Sequence, residues 1–423
     1  MHFDAVMLID LIISQKRELE NRLQEKYVER KIDPHWNLED DLIKVISGPR
    51  RAGKSFFAMR LLARTGSYGY VNFDDERLAG LENYDEIVSA IQNVYSHPGY
   101  VLFDEVQNLP RWELFINRLQ RQGLRLLITG SNANLLSSEL ATHLTGRYSA
   151  TVLFPFSFAE YALFEGGEAT GTEQQDMLNT YAEQGGYPEP LIKGVDRTDY
   201  LRTLVHATLY KDIIKRFKIR SVQGIEDLAR YLMSNIGREY SLNALSGVTK
   251  CRSVHTIDNY IRYLQEAFLL FCVPRFSFKM KEQVGFNKKV FCTDNGLALA
   301  AGFRTSPDRG SLLENLVAIA LHKSELAGRM TLFYWKSPQG EEVDFIVKQG
   351  LHVVQLIQVC SDISSPQTLK REMRSLVKAS EALRCNDLLL LNDRADRTET
   401  FTWQGVSRRI RLMPLRQWLM NNP

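Results

Sequence analysis

The run Gly48-Pro49-Arg50-Arg51-Ala52-Gly53-Lys54-Ser55 does most to limit what this chain can become, because it satisfies G-x-x-x-x-G-K-[ST] between two readable neighbours. Leu42-Ile43-Lys44-Val45-Ile46 before it reads as a buried strand, and Lys54–Ala63 after it as a helix. Glycines let such a loop curl until successive backbone N–H groups point inward, and the helix behind adds its positive N-terminal end. A cradle of that kind suits phosphate oxygens. Gly48, Pro49, Arg50, Arg51, Ala52, Gly53, Lys54 and Ser55 are therefore the expected nucleotide-binding positions, with Lys54 reaching the β/γ oxygens and Ser55 holding a metal ion. ATP and Mg2+ are the ligands this predicts.

Further on, Tyr100-Val101-Leu102-Phe103-Asp104-Glu105 is an apolar strand ending in two carboxylates. Asp104 is placed to hold the water shell of Mg2+, and Glu105 to polarise an attacking water. A third strand, Leu126-Leu127-Ile128-Thr129, ends in Gly130-Ser131-Asn132. Its small polar groups suit a sensor beside the γ-phosphate, with Ser131 or Asn132 positioning the water; a turn is the plainer role for both. Arg147 follows in Thr145-Gly146-Arg147-Tyr148. It either stabilises transition-state charge, in cis or from a neighbouring subunit, or is an ordinary surface arginine.

Around these motifs strands and helices alternate. A helical pattern covers 4–30, Asp33-Pro34 breaks it, a further strand falls at Tyr68–Phe73, the strand that ends in Gly130-Ser131-Asn132 is read as Leu124–Ile128, and Trp112–Gln122 is a helix. That order implies an α/β fold, a P-loop NTPase core with a parallel sheet and its ligand at the strand C-termini. After Arg147 the character changes. A helical region is interrupted by Gly185-Gly186-Tyr187-Pro188. Helices are expected at Ile225–Ile236, near Ser241 and at Ser253–Ala267, then a strand pair within Phe268–Phe278, which is the winged helix-turn-helix order. The remainder mixes a helix at Leu312–Ser324 with strands at Leu332–Trp335, Val343–Val347, Val353–Val359 and Leu388–Leu391. Three domains result: 1–215, the P-loop core with a helical extension; 220–280, winged-helix-like; and 285–423, a second α/β domain.

The net charge of +3 excludes a whole-protein field that demands a polyanion, so any nucleic-acid contact is expected from a local patch. Five scattered cysteines without a C-x-x-C pair argue against a disulfide framework or zinc site and fit a reducing compartment. Met7–Ser14 is too short to span a membrane. The chain is read as cytoplasmic, with no membrane partner.

Several of these runs carry a family resemblance. Gly-Pro-Arg-Arg-Ala-Gly-Lys-Ser, Phe-Asp-Glu-Val-Gln, Ile-Thr-Gly-Ser-Asn and Leu-Thr-Gly-Arg-Tyr resemble prokaryotic AAA+ type P-loop ATPases. So do Phe154-Pro155-Phe156-Ser157-Phe158-Ala159-Glu160-Tyr161 and Gly185-Gly186-Tyr187-Pro188-Glu189. The family implies ATP binding and a C-terminal domain of unknown function that looks like a restriction-endonuclease fold. An active nuclease of that fold needs a helix glutamate, a strand aspartate, and Glu-x-Lys on the next strand. Here Glu314 and Asp344 match, but Gln358 stands where the glutamate belongs and Cys360 where the lysine belongs. A neutral amide removes a hard anionic metal ligand. Lys348 or Lys336 are candidates for the missing ammonium, and no replacement for the carboxylate is evident. The resemblance thus implies a degenerate nuclease domain.

Two basic stretches remain: Lys279, Lys281, Lys288 and Lys289 with Phe276, Phe278 and Phe286 interleaved, and Lys211, Lys215, Arg216, Lys218 and Arg220. Each is either a phosphate-gripping surface or a solvated face. In the winged-helix-like region, Arg252, Ser253, His255, Thr256, Asn259 and Arg262 form a polar face, opposite Val254, Ile257, Ile261 and Leu264. Three whole-chain functions follow: a nucleotide-driven switch or motor acting on DNA, a regulatory or scaffolding ATPase that binds a protein partner or itself, and a DNA-processing enzyme with a cryptic nuclease.

Overall fold

The computed structural model describes residues 5–32, 36–131, 133, 144, 146–167, 169–249, 251, 253–303 and 308–422. The chain divides into two compact units, Met1–Phe154 and Pro155–Pro423.

In the first unit helix α1 (Ala5–Arg22) buries Leu8, Leu11, Ile12 and Leu19, which share one face at helical spacing. It stops short of the expected 4–30, and residues 26–32 run on without regular structure. Strand β1 (Ile43–Ser47), one residue later than the expected Leu42–Ile46, leads through the glycine loop into α2 (Lys54–Ala63), whose bounds are those the sequence predicts. Then come β2 (Tyr68–Asn72), α3 (Asp85–Tyr95), β3 (Tyr100–Asp104), α4 (Trp112–Arg121), β4 (Arg125–Gly130) and β5 (Tyr148–Val152).

Among the described residues the five strands form one parallel sheet in the order β2-β3-β4-β1-β5. Its centre is apolar, with Val45, Ile46, Leu102, Phe103, Leu127 and Ile128 buried. Runs that are apolar without alternation are what a sheet covered on both faces requires. Two elements escape the sequence reading. α3 is an amphipathic helix burying Ile87, Ala90, Ile91 and Tyr95. β5 continues the sheet past Arg147, although its half-buried Tyr148-Ser149-Ala150-Thr151-Val152 has no strong apolar pattern; an edge strand needs none.

The register aligns the functional ends. Ser47 lies opposite Gly130 on one side and Val152 on the other, while Asn72 lies opposite Asp104. The C-terminal ends of β1, β3 and β4 therefore open at one edge of the sheet.

In the second unit, the Gly185-Gly186 interruption is a close approach to Asp294. The Gly186 N–H donates to Asp294 Oδ2 at 2.7 Å, and a Cβ on Gly185 would lie 2.2 Å from Asp294 Oδ1. The helix Arg197–Thr208 runs on into a π-helical turn, Leu209–Ile214. Helices Val222–Ser234, Leu242–Thr249 and Val254–Glu266 follow, with the short strand β6 (Glu239–Tyr240) between the first two. The expected strand pair within 268–278 is one strand, β7 (Leu270–Pro274). Its partner is β8 (Lys288–Cys292), beyond a short helix at Met280–Gly285. β6, β8 and β7 form an antiparallel sheet in that order.

A mixed sheet occupies the rest: β9 (Thr331–Lys336), β10 (Glu342–Gln349), β11 (His352–Val359), β12 (Leu388–Asn392), β13 (Arg397–Trp403) and β14 (Val406–Pro414). Its order is β13-β14-β12-β11-β10-β9, and the helix Pro366–Leu383 packs on it through Met373, Leu376, Val377 and Leu383. No helix among the described residues is long and apolar enough to cross a membrane.

Candidate functional site

The glycine loop needs its glycines for different reasons. Gly48 has φ +142°, and a Cβ there would meet the Leu153 carbonyl oxygen at 2.2 Å, because the loop runs against the end of β5. Gly53 takes φ +92° as the residue that turns into α2. Arg51 is held at φ +65° between them, a conformation costly for a residue with a side chain.

Lys54 is buried, and its Nζ donates to the Gly48 and Pro49 carbonyl oxygens at 3.0 and 2.8 Å. Its ammonium therefore lies beneath the loop. Arg30 supports the same loop from outside it, donating to the Ala52 oxygen at 2.9 Å and the Phe154 oxygen at 2.6 Å. The sequence offered no signal for Arg30, which sits in the irregular stretch after α1.

Ser55 Oγ donates to Asp104 Oδ1 at 2.8 Å. Thr129 Oγ1, from the end of β4, donates to the same carboxylate oxygen and accepts the Glu105 N–H at 3.2 Å. Tyr70 donates to Asp104 Oδ2 at 3.3 Å. Burial pushes the Asp104 carboxyl up to about 6, and the Glu105 charge pushes the same way; the Thr129 and Ser55 hydroxyls and the Lys54 ammonium oppose them. A hydroxyl and a carboxylate in contact are hard oxygen donors of the kind Mg2+ takes, so the residues fit that ion.

Glu105 adopts φ +51°, which turns its side chain out of line with β3. There its Oε2 accepts from Ser131 Oγ at 3.2 Å and from the Gln107 amide. The structure thus brings Lys54, Ser55, Asp104, Glu105 and Ser131 to one edge of the sheet. Asn132 lies outside the described residues. Thr129 and Gln107 stand inside motifs legible in the sequence, yet only the register shows that they touch the carboxylates.

Arg147 is not brought there. It is exposed just before β5 begins, and its carbonyl accepts the Ile43 N–H at the start of β1. Four residue steps of parallel strand, about 13 Å at the usual rise, separate that end of β5 from the loop. The structure therefore does not bring Arg147 to the loop of its own chain.

The C-terminal carboxylates also assemble. Glu314, on the helix Arg309–Leu326, and Asp344, on β10, both receive Lys289 Nζ, at 2.9 and 3.3 Å. Gln358 is locked between the Asp344 N–H, which donates to its Oε1 at 3.3 Å, and Glu372, to which its Nε2 donates at 2.9 Å. Burial raises the Cys360 thiol to about 11. Neither expected lysine takes the vacant role: Lys348 donates to the Gly350 carbonyl, and Lys336 lies against Glu239. The lysine that enters is Lys289, which the sequence reading placed in a basic stretch that was either a phosphate-gripping surface or a solvated face. It is 3% exposed in its side chain and unavailable for either role. A further carboxylate, Glu342, joins it at 2.5 Å. Glu342 and Asp344 are two apart on one strand, so they share a face.

A parallel sheet whose first strand ends in a G-x-x-x-x-G-K-S loop, with a serine–aspartate contact at the strand ends, defines a P-loop nucleotide-binding protein. Residues 40–162 match the family model of an AAA domain. Residues 175–308 and 309–416 match two domains of unknown function, DUF8612 and DUF4143. Residues 40–162 thus resemble the AAA domain of P-loop ATPases, and the two segments after them match domains without an assigned function. It is 29% identical over 435 residues to the uncharacterized protein MJ1544 of Methanocaldococcus jannaschii, covering 98% of this chain and 94% of that protein. An uncharacterized protein of Haemophilus influenzae is 27% identical over 349 residues, covering 77% and 84%. Among solved structures, the Walker-type ATPase PABY2304 of Pyrococcus abyssi is similar with TM-score 0.42 and 14% identity, over 68% of this chain and 94% of that one. AMPPCP-bound DnaA from Aquifex aeolicus is similar with TM-score 0.28 and 14% identity, over 60% and 87%.

Proposed function

We propose that this chain is a Mg2+-dependent ATPase that works as a nucleotide-driven switch or motor, and that its second unit contacts DNA. The contact between Ser55 and Asp104 carries the first part of the reading, because it sets metal-binding oxygens directly beside the loop. Lys54 and the loop N–H groups bind the phosphates. Ser55 and Asp104 hold Mg2+, which when bound neutralises charge on the phosphate oxygens. Glu105 accepts a proton from water at its carboxylate, with Ser131 and Gln107 orienting that carboxylate. Arg147, exposed on this chain, acts only if a neighbouring subunit presents it in trans. Phosphate release by the purified chain with Mg·ATP tests the reading; tight Mg·ATP binding without release would reduce it to a binding protein.

The DNA reading draws on domains at about 1–215, 220–280 and 285–423, the middle one winged-helix-like. It is supported by one juxtaposition. Phe217 stacks on Tyr263 of the helix Val254–Glu266, centroids 3.8 Å apart and planes at 9°. Arg216 lies over Phe217 and Arg262 over Tyr263, 5.4 and 5.2 Å from the ring centroids, and Lys211, Lys215, Lys218, Arg220 and His255 are exposed on the same two segments. A row of cations next to a helix with polar groups suits a phosphate backbone. On that helix Ile257, Ile261 and Leu264 are buried as expected, whereas Val254 is exposed, and Arg252 lies outside the described residues. Nuclease chemistry is not part of the proposal. A protein partner becomes the leading reading if no DNA binds at low salt.

A further inference from the structure

Lys289 is the most unusual charge in the second unit. Its position follows from strand alternation: on β8, Lys288 is exposed, and Lys289 and Phe291 point to the opposite face. Phe291 meets Phe345 of β10, ring centroids 5.7 Å apart, so β8 packs against β10 there, and the ion pairs of Lys289 with Glu342 and Asp344 show which side chains it reaches. Among the described residues, three carboxylates from two elements converge on its ammonium: Glu342 at 2.5 Å, Glu314 at 2.9 Å and Asp344 at 3.3 Å. Tyr334 flanks it, the ring centroid 5.6 Å from Nζ.

This is more than an ordinary ion pair. A buried lysine is normally matched by one carboxylate, since every further buried charge costs desolvation. Here three carboxyl groups surround one ammonium, and Lys336 approaches Glu342 from the rim, at 3.8 Å. A three-carboxylate shell of hard oxygens is what a divalent cation asks for. Two of the ammonium's three contacts, at 2.9 and 3.3 Å, are longer than metal–oxygen bonds of about 2.0–2.6 Å. Accordingly, no group of His, Cys, Asp and Glu side chains among the described residues is arranged to hold a metal as the chain stands.

We propose that Glu314, Glu342 and Asp344 form a cation site whose resident cation is the chain's own Lys289 ammonium, which fills the place of a divalent ion and shuts such ions out. Lys289 ties β8 to β10 and to the helix Arg309–Leu326 without metal. Removing its charge converts the site into one that takes Mn2+ or Mg2+.

The test uses the full chain without nucleotide, comparing wild type, Lys289→Ala, Asp344→Asn and Lys289→Ala with Asp344→Asn. Each is melted in EDTA and in Mn2+, and Mn2+ uptake is followed by electron paramagnetic resonance. In EDTA, Lys289→Ala is expected to melt on the order of 10 °C below wild type, because carboxylates are left buried without a counter-charge. Mn2+ restores most of that loss, and Lys289→Ala takes up one Mn2+ more than wild type; Asp344→Asn abolishes both effects. If Lys289→Ala does not fold in EDTA, refolding from urea with Mn2+ decides: recovery of folded chain supports the proposal, and none overturns it. The proposal also fails if Mn2+ leaves the Lys289→Ala melt unchanged. It fails equally if wild type binds Mn2+ in a manner that Asp344→Asn removes, since the lysine would then not exclude the ion.

Discussion

Ser55 at the start of α2 and Asp104 at the end of β3 are joined by a 2.8 Å hydrogen bond across 49 residues of chain. The contact exists because β4 lies between β1 and β3, and Thr129 at its end grips Asp104 from the other side. Loop, serine and carboxylates therefore form one hydrogen-bonded unit.

Lys54→Ala is expected to abolish or severely weaken Mg·ATP binding. The Nζ donates to loop carbonyls 5 and 6 residues away, a local contact, so the fold should survive with a modest shift in melting temperature. Equilibrium titration with a fluorescent ATP analogue, beside circular dichroism, checks both statements. Wild-type affinity in the variant would contradict the first.

Glu105→Gln should bind Mg·ATP and release phosphate about 10²–10⁴-fold more slowly, the usual cost of losing a general base. An amide keeps a hydrogen-bond acceptor for Ser131 but does not take a proton from water. Single-turnover phosphate release separates this step from binding, and an unchanged rate would give Glu105 another role.

Gly48→Ala should destabilise the first unit by on the order of 3 kcal/mol and cost nucleotide affinity as well. The added Cβ would overlap the Leu153 oxygen at 2.2 Å in a backbone conformation unfavourable for alanine. Urea unfolding reads the first effect; a variant as stable as the parent would show that β5 moves freely away from the loop.

No Mg2+- or Mn2+-dependent cleavage of single- or double-stranded DNA is expected. Gln358 is committed to Glu372, and Lys289 occupies the carboxylates. Gel assays on both substrates test this, and cleavage lost in Asp344→Ala would restore the nuclease reading.

DNA binding should weaken as salt rises, and replacing Lys215, Arg216 and Lys218 with alanine should reduce the slope of log K against log salt by about one per lost phosphate contact. Arg262→Ala should weaken binding less, because Arg262 is shared with Glu266 at 3.8 Å. Titrations at two salt concentrations with ATP, ADP and no nucleotide make the measurement. An absence of binding at low salt in every nucleotide state would end the DNA reading.

The loop from Gly48 to Ser55, the strand ending in Asp104 and Glu105, and the alternation of apolar strands with helices were legible in the sequence. Each is local: a turn that demands glycine, a run of buried residues, a helix start. What lay beyond the sequence were long-range choices. Thr129 serves Asp104 because strand order sets β4 beside β3, Arg147 faces away because β5 begins at the far end of the sheet, and Arg30 reaches Ala52 from an irregular segment. Lys289 shows the limit most clearly. Beside Lys288 in the sequence it looked like one more solvated cation, and only the pairing of β8 turned its side chain inward to Glu314, Glu342 and Asp344. A lysine's charge is local, but its burial and its partners are properties of the fold.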